Sequence, residues 1–141
     1  MQFRSVVVAA AFCLLAAGVA EARTVHFTTA LKGADEVPPN ATTGTGAVDA
    51  TLDTQTKSFS YTVTYSGLTG PAVAAHFHGP AAAGMNAPPM VAMTSLASPI
   101  AGTAVLSDGQ IADLTAGKWY FNVHTAAHPG GEIRGQLAIS N

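Results

Sequence analysis

The stretch KSFSYTVTYS, residues 57–66, decides the fold class because apolar and polar residues alternate strictly along it. Phe59, Tyr61, Val63 and Tyr65 occupy every second position, with serine and threonine between them. Successive side chains of a β-strand point to opposite faces, so this pattern places all four apolar side chains on one face. The stretch therefore predicts a strand with one face in a hydrophobic core.

The same alternation recurs on both sides of this stretch. It is clear at 24–31, 46–53, 72–78, 118–125 and 131–140, and weaker at 90–96 and 100–107. Glycine and proline separate the segments about every eight to twelve residues, which is typical of β-sandwiches and barrels. Residues 108–117 predict one helical turn, and residues 37–46 and 79–89 predict loops. The sequence thus predicts an all-β fold, a Greek-key-like antiparallel β-sandwich of about eight strands.

Composition limits the domain count and the partners. The chain has 141 residues, of which 10% are charged, and its net charge is −2. This size fits a single folded domain, which we assign to residues 23–141. Phosphate binding requires clustered lysine and arginine, so the charge argues against nucleic acid. It also argues against a polybasic membrane-binding patch.

Residues 1–22 predict a secretory signal peptide. Arg4 precedes an apolar run at 6–17, which is too short to span a bilayer, and Ala20-Glu21-Ala22 fits a cleavage site. The alternative is a retained N-terminal anchor. We expect a secreted or periplasmic domain, extracellular or in the cell envelope, with no membrane span after signal removal. The single cysteine, Cys13, would leave with the signal, so the mature domain would have no disulfide.

Four of the five histidines form two groups in the sequence. His76 and His78 are two residues apart on a predicted strand, so both imidazoles share a face. His124 ends a later predicted strand, and His128 lies in the following loop. Imidazole suits copper, zinc and nickel, and neighbouring strands would bring three or four rings together. We therefore predict His76, His78, His124 and His128 as metal ligands. The alternative is that these histidines are polar residues in contact with solvent or with loop carbonyls.

Further polar residues lie on the same predicted faces, opposite the core. We expect Asn122 or Glu132 to orient an imidazole, and Arg134 to attract a small anion to an open metal position. These side chains are predicted to point to the outer surface of the sandwich, under the loops at 79–89 and 125–131. The carboxylates show no spacing typical of a glycosidase, and no serine lies in a nucleophile-elbow motif. Residues 40–42 fit the N-glycosylation pattern at Asn40, which depends on the host.

Four motifs in order resemble the CHRD (chordin-type) domain. They are LKGADEVPP at 31–39, AHFHGP at 75–80, GKWYFNVHT at 117–125 and PGGEIRGQL at 129–137. The resemblance covers about residues 26–139. It implies an exported protein, because CHRD domains occur singly in exported bacterial proteins and repeated in chordin. This chain lacks the cysteine-rich modules that bind growth factors in chordin, so that activity is not carried over.

A weaker resemblance is to the copper–zinc superoxide dismutases, which are Greek-key sandwiches. His76, His78 and His124 match the order of their copper-binding histidines, and Arg134 roughly matches their arginine beside copper. The zinc loop, its aspartate ligand and the disulfide cysteines are absent. This resemblance implies copper or zinc binding more than dismutase activity.

These observations lead to three hypotheses about function. The first is an exported CHRD-domain protein that binds copper or zinc through a surface histidine cluster. The second is an extracellular structural or protein-interaction module without metal or catalysis, whose partner the sequence does not identify. The third is a copper-dependent enzyme that handles superoxide, with Arg134 guiding the anion.

Overall fold

A computed structural model describes residues 23–140. The predicted signal peptide, residues 1–22, lies outside the described residues. Within residues 23–140, nine strands and one helix follow each other, with a short 3-10 turn at Gly33–Asp35. They are β1 (Thr24–Lys32), β2 (Thr45–Asp53), β3 (Ser58–Ser66), β4 (Ala72–His78), β5 (Pro89–Ala92), β6 (Ile100–Val105), α1 (Asp108–Thr115), β7 (Tyr120–Thr125), β8 (Ile133–Gln136) and β9 (Ala138–Ile139).

The strands form one antiparallel sheet that folds over on itself. The strand order is β5-β4-β7-β8-β1-β2-β3-β6, and β9 also pairs with β1. The two halves join where β8 meets β1, at the pair Lys32 and Arg134. They pack face to face, so that the Phe59 and Phe77 rings are 5.2 Å apart. This nearly closed, barrel-like sandwich confirms the predicted fold class.

The core contains the side chains that the alternation predicted. Phe59 and Val63 of β3, Phe77 of β4 and Phe121 of β7 are fully buried. Edge-to-face contacts connect these rings with Trp119, which is also fully buried. Such contacts add to the stability that comes from removing large rings from water. The core therefore holds the two halves together without a disulfide between the described residues.

Two local details differ from the prediction. The segment 131–140 is not one strand, because the Leu137 N–H donates to the Trp119 carbonyl and separates β8 from β9. As a result Ile139 is half-exposed and does not join the core. The alternation at 72–78 would place Val73 on the core face with Phe77, but the register shifts between Ala72 and Ala74, and Val73 is exposed.

The second face of β4, β7 and β8 was predicted to point to the outer surface, and this is wrong for most of its residues. Asn122 is 3% exposed, Arg134 2% and His78 8%. Loop residues from 33–44, 79–88 and 126–132 cover this face, through contacts such as Asn86 with Arg134 and Asn40 with the Glu132 carbonyl. Alternation along a strand separates two faces, but it cannot show whether loops cover the polar one. The polar residues therefore form a second, mostly buried layer.

Candidate metal centre

Three histidines meet in this polar layer, on the neighbouring strands β4 and β7. His76 is opposite Asn122 in the register, and His124 is opposite Ala74, which places the two histidines diagonally across the pair. His78 lies two residues beyond His76 on the same face. One ring nitrogen from each of the three lies within 4.8 Å of the others. We call His76, His78 and His124 the histidine cluster.

Backbone carbonyls fix the orientation of two rings in the cluster. Nδ1 of His78 donates to the Ala87 carbonyl at 2.9 Å, and Nδ1 of His124 donates to the Pro129 carbonyl at 2.9 Å. A neutral imidazole that donates from Nδ1 has a free electron pair on Nε2. Metal-binding histidines commonly donate their other N–H to a carbonyl in this way. Nε2 of His124 is therefore a possible metal ligand, and Nε2 of His78 is one when the ring's proton is on Nδ1.

The third ring, His76, contacts His124 directly. Its Nδ1 lies 3.3 Å from Nε2 of His124, and because that Nε2 is an acceptor, the Nδ1 of His76 donates. Two nitrogens that bind one tetrahedral ion at about 2.0–2.1 Å are also roughly 3.3 Å apart. An ion could therefore replace this proton without a large movement of either ring. His76 would then carry its proton on Nε2.

Burial favours the neutral, metal-binding form of the cluster. It lowers the pKa of His76, and the neighbouring charges of His124 and His78 lower it further. Burial also lowers the pKa of His78, and its hydrogen bonds to Ala87 and Asn122 only partly oppose this effect. Burial therefore favours the neutral form of both imidazoles. Neutral imidazole is the form that binds a metal ion.

Asn122 contacts one ring of the cluster, that of His78. Its side-chain Oδ1 lies 2.9 Å from Nε2 of His78, and both side chains are buried. An amide oxygen accepts, as does the Ala87 carbonyl at Nδ1, so a neutral His78 ring has one proton for two acceptors. An ion on Nε2 would have to displace the Asn122 oxygen. Asn122 therefore holds His78 in place and also competes for its ligand atom.

Glu132 does not take the predicted role of orienting an imidazole. Its carboxylate is fully buried and accepts hydrogen bonds from the hydroxyls of Thr42, Thr69 and Thr125 and from the Thr69 N–H. Burial alone raises the pKa of Glu132, but these hydrogen bonds outweigh it and lower the pKa to about 2. The residue therefore connects two loops to β7 as a buried anion.

His128 and Arg134 lie elsewhere than predicted. His128 is in the loop after β7, outside the group of ring nitrogens that meet within 4.8 Å. Arg134 is buried, with its guanidinium 3.4 Å from the Tyr120 ring centre. It donates to the Asn86 side chain at 2.9 Å and to the Met85 carbonyl. These contacts hold Arg134 beneath the 79–88 loop, where it lines a cavity that none of the three histidines lines, so it is not placed to guide an anion to the histidine cluster.

Sequence reasoning missed Tyr120 and Glu36 in this layer. The Tyr120 ring stacks on His78, with ring centres 4.6 Å apart and planes 3° from parallel. Glu36 is 4% exposed, and burial raises its pKa to about 7 despite the nearby charge of Arg134 and a hydrogen bond with Asn122. Tyr120 shares the alternation of Asn122 and His124, which was a usable signal. Glu36 follows a turn beside two prolines, where no periodicity locates a side chain.

Comparison with known proteins identifies the domain. The profile of the CHRD domain matches residues 27–137, which is most of the chain. No curated protein and no solved structure gives a significant match. None of the helices within residues 23–140 has the length and apolar character that a membrane crossing requires.

Proposed function

The chain belongs to the CHRD domain family, and we propose that it is an exported protein that binds one copper or zinc ion through His76, His78 and His124. Membership of this family suggests an extracellular module of the interaction type. Export and metal binding are the further steps of the proposal. The observation that carries it is the meeting of three ring nitrogens within 4.8 Å.

The donor set supports copper or zinc. The cluster offers three imidazoles and no carboxylate or thiolate, and imidazole suits both metals. Three protein ligands leave one position of a tetrahedral ion for water or another small molecule. His76 and His124 are half-buried, so solvent can reach the cluster from their side. We expect Cu²⁺ to bind more tightly than Zn²⁺, as the general order of metal affinities predicts.

The second candidate is an interaction module in which the histidines have only a structural role. It is favoured by the hydrogen bonds from His78 and His124 to loop carbonyls, which would hold the 79–88 and 126–132 loops without any ion. In that case, replacing a cluster histidine would lower stability equally with and without added metal. If an ion binds, the loss would be larger in the presence of metal, because a ligand of the folded state adds to its stability.

The superoxide-handling enzyme is the least supported candidate. It needs a group that draws an anion to the metal, and Arg134 is buried under the 79–88 loop instead. A superoxide assay of the copper-loaded protein tests it directly.

Calorimetric titration with Zn²⁺ and Cu²⁺ tests the metal proposal. We expect one ion per chain for the wild-type protein and at least about a hundredfold weaker binding for His124→Ala. His128→Ala is the matched control, since His128 lies four residues after His124, in the loop that follows β7, and outside the cluster. Equal loss of affinity in both variants would contradict the assigned ligand set.

A further inference from the structure

A cavity of about 570 Å³ lies beside the polar layer, on the β8 side. Arg134 and Gln136 of β8 line it, together with Glu36 and Val37 from the segment after the 3-10 turn and Gly84 of the 79–88 loop. Small-molecule sites in proteins typically have volumes of about 300–1,000 Å³. The cavity is therefore large enough for a small organic ligand. None of the cluster histidines lines it.

Arg134 is a buried cation without a bound anion. It is 2% exposed, and within residues 23–140 no carboxylate oxygen lies within 4.0 Å of its guanidinium. Two N–H groups donate to Asn86 and Met85. A guanidinium has five N–H donors, so three have no acceptor in the described part of the chain. The Tyr120 ring stabilises the guanidinium in part, but a buried charge is normally paired with an opposite charge.

Neither of the two acidic residues that line the cavity pairs fully with Arg134, although Glu36 is close enough for the Arg134 charge to lower its pKa. Asp35 lies 3.8 Å from Lys32 at the surface. Glu36 is buried, and its pKa of about 7 means that much of it is neutral near pH 7. Its carboxyl group can then donate a hydrogen bond. The cavity thus combines an unpaired guanidinium with a carboxyl group that can act as a neutral donor.

The chemistry of the walls narrows the ligand class. A planar guanidinium matches a carboxylate in a fork-like, two-hydrogen-bond arrangement. Ala34, Val37, Pro39 and Ala83 give the cavity apolar surfaces as well. We propose that this cavity binds a small organic carboxylate, with its charged group on Arg134 and a short apolar body against these surfaces. The site is separate from the histidine cluster and does not depend on a metal.

The test is an NMR titration of the ¹⁵N-labelled protein with sodium butyrate, sodium benzoate and inorganic phosphate, in the presence of a chelator. We expect saturable shifts with a carboxylate at about 10 mM or below, centred on residues that line the cavity. Ala83→Phe, which places a ring in the cavity mouth, should weaken binding roughly 30-fold or more. Ala82→Phe is the matched control, since Ala82 is also exposed but does not line the cavity. It should bind like wild type.

Three results would overturn the proposal. They are no saturable shift with either carboxylate, tighter binding of phosphate than of both carboxylates, or equal binding by the Ala83→Phe and Ala82→Phe variants. The Arg134→Gln variant should also lose carboxylate binding, provided that its NMR spectrum shows a folded protein. If this variant does not fold, the Ala83→Phe variant alone tests the proposal. The His76→Ala/His124→Ala double variant should keep carboxylate binding. Binding by this variant would show that the carboxylate does not bind to a metal ion at the histidine cluster. A failure of the carboxylate proposal is then distinguishable from a failure of the metal proposal.

Discussion

Nδ1 of His76 lies 3.3 Å from Nε2 of His124, across the neighbouring strands β4 and β7. The same separation serves a hydrogen bond between two neutral rings or two ligands of one ion. The carbonyls of Ala87 and Pro129 orient His78 and His124, which makes Nε2 of His124 an acceptor, while Nε2 of His78 faces the Asn122 oxygen that an ion would displace. The geometry is therefore prepared for an ion by ordinary hydrogen bonds.

Glu132→Gln should greatly destabilise the domain near neutral pH. The wild-type carboxylate accepts four hydrogen bonds, and its pKa is lowered from 4.5 to about 2. Its contribution is present above pH 4.5 and is lost as the pH falls toward 2, and the shift corresponds to about 3 kcal/mol. Urea unfolding at several pH values measures this contribution to the free energy of unfolding. We expect the two proteins to differ by about that amount at neutral pH and much less in acid. A difference that does not change with pH would contradict this assignment.

Glu36→Gln should stabilise the domain at and above neutral pH, whereas Glu132→Gln should destabilise it. Burial raises the pKa of Glu36 from 4.5 to about 7, so the unfolded chain loses its proton more readily than the folded one. Wild-type stability should therefore fall as the pH rises from 4.5 to 7, by up to about 3 kcal/mol. The neutral glutamine avoids this loss, so the variant should be the more stable protein above pH 7. Unfolding curves across this range measure the difference.

Asp35→Asn is the control for that comparison, because Asp35 is the neighbouring acid and is exposed. It should change stability by only about 0.5 kcal/mol or less at any pH. Parallel stability curves for wild type and Glu36→Gln would show that Glu36 does not titrate as a buried acid.

Gly135→Ala should destabilise the domain where the two halves of the sandwich join. A Cβ atom at this position would lie 2.2 Å from the Ala30 carbonyl oxygen of β1. Backbone at this join cannot move without disturbing the β8–β1 contact, so Gly135→Ala should cost at least about 2 kcal/mol. Thermal unfolding measures the loss. Gly130→Ala is the control, since nothing lies within 4 Å of its added Cβ, and an equal decrease in Tm for both would contradict the argument.

Strands β3, β4 and β7 were readable from the sequence because each has a face in the core. Phe59, Phe77 and Phe121 each belong to a strand in which apolar residues occupy every second position, and the structure buries all three. The shared face of His76 and His78 was predictable from the alternation, whereas the meeting with His124 also required that β4 and β7 be neighbours, which the structure shows.

The surroundings of the cluster were not predictable in the same way. Glu36, Asn86 and Pro129 reach the polar layer from loops, and loop paths depend on contacts between residues far apart in sequence. Glu132 looked like a surface carboxylate because it alternates with core residues, yet threonines from two loops and β7 surround it. Periodicity locates a residue on a strand face, but only the three-dimensional path of the loops decides whether that face is covered.

The most direct test of the central claim is the metal content of the purified domain after loading with zinc or copper and removal of unbound ions, measured by mass spectrometry of the elements. We predict one ion per chain for the wild-type protein and almost none for a folded His76→Ala/His124→Ala double variant. Near-zero metal in both proteins, or the same metal content in both, would contradict a metal centre at these histidines.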